Sequence, residues 1–145
     1  MKHILTLIMF LLSLCGYTQS NHKCNGNFVR IANLNADNLT EDICLDFLLT
    51  IDTICESNAE FGQYSNETLF KLLESNPLIL IITHDKNKSQ IDSNLLLSMI
   101  KTPVHDGFDL SGIRKRIQEL ECESGFREDI LMALNYAIAK ANRYK

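Results

Sequence analysis

Leu110, Ile113, Ile117 and Leu120 follow one another at spacings of three, four and three residues, the repeat that puts side chains on one face of an α-helix. The same kind of repeat joins Ile43, Phe47, Ile51 and Ile54, and later Ile130, Leu134, Ala137, Ile138 and Ala141. The choice of apolar residue agrees with it: 22 Leu and 15 Ile stand against two Val, and leucine suits helices where valine suits strands. Six glycines and two prolines in 145 residues leave little material for the frequent turns of a β-sandwich or barrel. The expected fold is therefore all-α, with five to six antiparallel helices arranged as helical hairpins or a compact bundle. The alternative is an α+β fold with a two-stranded piece pairing 28–31 with 78–82, because Leu78 to Ile82 is an unbroken apolar run. Asn76-Pro77 just before that run favours a helix, since proline at the first helical position gives up a donor that has no partner there anyway.

Residues 1–20 stand apart from this pattern. One lysine, Lys2, precedes an apolar run from Ile4 to Leu14, followed by small and polar residues through Ser20. That order is the order of a secretory signal peptide, with cleavage after Thr18 or Ser20. The run is too short to cross a bilayer, which takes about 20 residues, and no transmembrane segment is expected once the signal is removed. A lipoprotein anchored at Cys15 is the competing use of the segment, although Leu14 stands where a small residue normally precedes the acylated cysteine. The expected location is secreted or periplasmic. Beyond the signal, 21–38 is polar and Asn-rich and reads as an extended segment, and 39–145 as a single helical domain.

Within that domain the first helix is expected from a cap at Asn38, with Glu41 completing a capping box, to about Ser57. Residues 58–64 read as a loop leading to a helix capped by Ser65, with Tyr64 and Leu69 as a hydrophobic staple. Residues 85–88 read as a polar turn before a helix over 90–101. A second loop over 102–109 leads to a helix capped by Asp109, and a last helix runs over 126–144. Ile51, Leu69, Leu73, Ile113, Ile117, Leu134 and Ile138 are the expected core.

Past the signal the cysteines are Cys24, Cys44, Cys55 and Cys122, an even number in a chain expected to be exported, where disulfides are the default. On a single helix over 39–57, Cys44 and Cys55 would lie about 16 Å apart, beyond the ~7 Å reach of a bridge. That leaves two pairings: Cys24 with Cys44 and Cys55 with Cys122, or Cys24 with Cys55 and Cys44 with Cys122. The first is preferred, because the helices ending at Cys55 and Cys122 are expected to run the same way and share an end, while Cys44 near the helix start is within reach of Cys24 on the extended segment. No C-x-x-C redox motif is present, and His22-x-Cys24 has no zinc-finger spacing.

Two histidines precede aspartate, as His84-Asp85 and His105-Asp106. If both pairs met at one end of the bundle, with Asp109 beside them, they would form the centre of a small metal-dependent hydrolase; otherwise no metal ligands and no cofactor are expected. Asn-x-Ser/Thr sequons occur at Asn38, Asn66 and Asn87. Without Lys2 the exported chain has 13 basic and 18 acidic side chains, a balance that argues against nucleic acid. The expected function is a non-enzymatic one, the binding of another protein, of inhibitor or immunity type. The expected binding residues are the loop aromatics and their polar neighbours: Phe61, Tyr64, His105, Asp106 and Phe108. The same two rings, Phe61 and Phe108, would serve otherwise as plugs on the ends of the bundle.

Overall fold

In the computed structural model, which describes residues 22–143, seven α-helices follow one another: α1 (Gly26–Leu34), α2 (Glu41–Thr50), α3 (Ala59–Ser75), α4 (Pro77–Asn87), α5 (Ser93–Lys101), α6 (Leu110–Gln118) and α7 (Gly125–Ala141). The all-α class is as expected, with one or two helices more. No strand occurs among the described residues: 28–31 lies in α1 and 78–82 in α4. The signal segment and Cys15 lie outside the described residues.

The added helix is α1, where the sequence reads as extended chain. Asn25 caps it by accepting from the Asn27 N–H, and its inward side is small and apolar, with Val29 and Ala32 fully buried. Alone it would be a poor helix. It holds because it packs on both α2 and α3. A short 3-10 turn, Ala36–Asn38, follows, and Thr40, not Asn38, caps α2 by accepting from Ile43 N–H. Helix α2 stops at Thr50, well short of Ser57. Ile51 and Asp52 are extended, and the Asp52 carboxylate caps a second 3-10 turn, Thr53–Cys55.

That break changes the cysteine geometry. With Cys55 off the helix, the disulfide forms between Cys24 and Cys55, at a Cα–Cα distance of 5.5 Å. Cys44, fully buried on α2, and Cys122, half-buried before α7, are free thiols. Neither bridge of the preferred pairing forms, and burial pushes the Cys44 thiol up to about 12. Thr50 fastens the same strap: its carbonyl accepts from Cys24 N–H at 2.9 Å, and its hydroxyl accepts from Asn25 N–H and donates to the His22 carbonyl.

Helix α3 is the centre of the molecule and touches α1, α4, α5 and α6. It starts six residues before the expected Ser65 cap, with Asn58 accepting from Phe61 N–H. Ser65 is thus inside the helix and buried, not at its start. Helix α4 likewise continues through His84-Asp85 to Asn87, so the polar turn begins only there. Caps at Asp92, Asp109 and Ser124 start the last three helices. Of the expected core all but Ile138 are buried, and Ile138 is half-buried.

Candidate functional site

The loop between α5 and α6 is held by α3 from beneath. Asn66, buried on α3, donates to the Met99 and Thr102 carbonyls at 2.9 and 3.4 Å and accepts from Val104 N–H at 3.1 Å. Its amide is occupied by this clamp, so this sequon asparagine has a structural duty, as does Asn87, whose amide donates to the Thr83 carbonyl at 2.9 Å. Phe108 then lies flat on Phe70 of α3, with ring centroids 4.5 Å apart, and His105 lies on Phe108 at 4.2 Å. Gly107 donates its N–H to His105 Nδ1 at 3.3 Å, which leaves the ring proton on Nε2, facing Glu67 Oε1 at 3.9 Å.

Between this loop and the last turns of α7 is a cleft of about 570 Å³, lined by Pro103, His105, Phe108, Ser111, Ala137 and Lys140 among others. His105, Asp106 and Phe108 are therefore brought together, with His105 and Asp106 exposed at the rim and Phe108 mostly withdrawn beneath them. Phe61 and Tyr64 are not part of it. Phe61 is 9% exposed within the core, and Tyr64 is half-buried against it; both belong to α3, so the expected loop at 58–64 does not exist.

The two His-Asp pairs do not meet. His84 lies where α5 and α7 begin, with Nε2 2.7 Å from Ser93 Oγ and its ring stacked on Phe126. His105 lies where both helices end, so the length of α5, about 14 Å at 1.5 Å per residue, separates them. The hydrolase centre required ligands about 2 Å from one shared metal, which this spacing does not permit. Among the described residues no group of three or more His, Cys, Asp or Glu side chains is arranged to hold a metal ion.

His84 instead makes the fold sensitive to acid. Burial lowers its pKa, against the opposing pull of Asp85 Oδ1 at 3.3 Å and of Asp129 on α7, with Lys88 adding to the lowering. A folded-state pKa below the unfolded one means that the unfolded chain takes up the proton first. The stabilisation is complete above about pH 6.5 and is lost as pH falls through the depressed folded value. Urea midpoints are expected to fall between about pH 7.5 and 5.5, and to fall less in His84→Gln. Parallel loss in both proteins would remove His84 as the cause.

A second surface lies outside the residues expected from the sequence. On the outer side of α7, Met132 and Tyr136 are 62% and 56% exposed, one helical turn apart. Beside Met132 a shallow depression of about 480 Å³ lies between α6 and α7, lined by Arg114, Gln118, Arg127, Glu128 and Asn135 among others. Arg114 donates to Asn135 Oδ1 at 3.3 Å across it. The signal was present as an apolar pair at four-residue spacing on the side of α7 away from Ile130, Leu134 and Ala137.

No helix among the described residues is long and apolar enough to cross a membrane. Comparison with protein-family models, with curated proteins and with solved structures finds no match for the chain.

Proposed function

We propose that the protein is exported and works by binding another protein, of inhibitor or immunity type, with the cleft beside His105 and Asp106 as its docking site. The observation that carries this reading is the cleft itself. A loop with an exposed imidazole and carboxylate is braced from below by Asn66 and Phe70, and a braced loop loses less freedom when a partner binds. The Cys24–Cys55 bridge supports the secreted or periplasmic placement, since disulfides persist in oxidising compartments. The test compares the tagged full chain with a His105→Ala/Asp106→Ala variant of unchanged helical circular dichroism. A partner held by the first, lost by the second and rebound after purification is the expected result. Equal retention by both would remove the cleft from the binding surface.

A further inference from the structure

Charge is distributed unevenly over the last two helices. Residues 110–118 and 130–143 carry five basic side chains, Arg114, Lys115, Arg116, Lys140 and Arg143, and no acidic one, in a chain of net charge −4. Apart from Asp109, which caps α6 and lines the cleft, the acids of this hairpin gather at its turn, from Glu119 to Asp129, where Lys115 meets Glu119 at 3.9 Å and Arg127 meets Glu128 at 2.5 Å. The basic stretch coincides with the exposed apolar pair. Met132, Tyr136 and Lys140 succeed one another at four-residue spacing on α7; Met132 borders the depression at Arg114, and Lys140 borders the cleft at His105. One strip of surface, from Met132 to Arg143 about 16 Å long, therefore joins the two concavities.

We infer that the partner engages this strip through an acidic segment of its own chain, its carboxylates over Arg114 and Lys140 and its apolar side chains against Met132 and Tyr136. This rests on the protein-binding reading above and adds the chemistry of the partner. Tyrosine, methionine and arginine are the residue types that recur at the centres of protein interfaces, and opposite charge steers the encounter. An anionic membrane would also seek basic and apolar groups. Here, however, Met132 lines a concavity with Gln118 and Asn135 in its walls, and the strip runs on to a second one with Ser111 in its wall; such walls suit inserted side chains better than a flat lipid surface. Asp106 and Asp109 also line the cleft, so the partner's negative charge is confined to the strip and ends where the cleft begins.

The test uses the disulfide-bonded full chain and a fluorescent helical peptide of about twelve residues, long enough to cover the strip, built from Glu, Leu and Ala. A matched peptide carries Lys in place of Glu, and vesicles of phosphatidylglycerol with phosphatidylcholine form the third arm. The Glu peptide is expected to bind at least about tenfold more tightly than the Lys peptide. Arg114→Glu/Lys140→Glu and, separately, Tyr136→Ala are each expected to weaken it by about tenfold or more, and added salt to weaken it further. Absence of Glu-peptide binding, equal binding of both peptides, or binding that neither variant weakens overturns the inference. So does vesicle binding that these variants abolish while the peptide is ignored. If a partner lost on His105→Ala/Asp106→Ala substitution proves to dock through a neutral or basic segment, the acidic partner falls while the cleft reading stands.

Discussion

Removing the Cys24–Cys55 bridge, by reduction or by paired serine substitution, is expected to cost the fold about 3 to 4 kcal/mol. The bond joins residues 31 apart in sequence, and tying the ends of a loop that long removes conformations mainly from the unfolded chain. Against this stands one local cost. Cys24 has φ of 57°, a left-handed conformation that disfavours a side chain by about 1 to 2 kcal/mol. The loop term is larger. The strap also does not depend on the bridge alone, because Thr50 holds residues 22–25 by backbone and hydroxyl bonds. The reduced protein is therefore expected to remain folded but to unfold at lower urea. Native alkylation is expected to label half-buried Cys122 alone, and Cys44 only after unfolding, since its thiol is buried and pushed up to about 12. A difference between oxidised and reduced protein below about 1 kcal/mol, or native labelling of Cys24 and Cys55 without reductant, would contradict the assignment.

Where each helix presents a wide apolar stripe, as α6 and α7 do, the sequence was enough. The failures share a cause: each depended on a contact distant in sequence. Val29 and Ala32 are a thin stripe among asparagines, and only α2 and α3 lying over them make α1 a helix. The end of α2 has neither glycine nor proline to mark it, only the Asp52 carboxylate turning back to Ile54 N–H, and missing that stop led to the wrong cysteine pairing. Tyr64 and Ser65 imitate a helix start, although the true cap, Asn58, lies about two turns earlier. At the cleft, the loop that carries His105, Asp106 and Phe108 was legible because proline, glycine and aspartate mark it. What the loop rests on was not, since nothing local to 102–109 announces Asn66 or Phe70. The apolar pair Met132 and Tyr136 is visible at four-residue spacing, but it stands opposite the inward stripe of the same helix, and only the packing of α7 shows that it is exposed.

Phe70→Ala is expected to cost about 3 to 5 kcal/mol, the range for truncating a buried phenylalanine. Phe70 is fully buried at the centre of α3, and the stack with Phe108 at 4.5 Å contributes about 0.5 to 1.5 kcal/mol of that sum. The consequence for the cleft separates this residue from an ordinary core position. His105 lies on Phe108, and Phe108 lies on Phe70, so truncating the lowest ring leaves the imidazole without its floor. Asn66 still holds the loop at Val104, and the loop is expected to stay attached at its start while 105–108 loosens. Two measurements follow: the urea midpoint, and the ring-current shift that Phe108 imposes on the His105 imidazole signals. Ile130→Ala is the matched control, also fully buried but near the start of α7, at the end where His84 lies. It is expected to lose about 2 to 5 kcal/mol with the His105 signals unmoved. Equal movement of those signals in both variants would show that the loop follows overall stability and that the three stacked rings do not position the cleft.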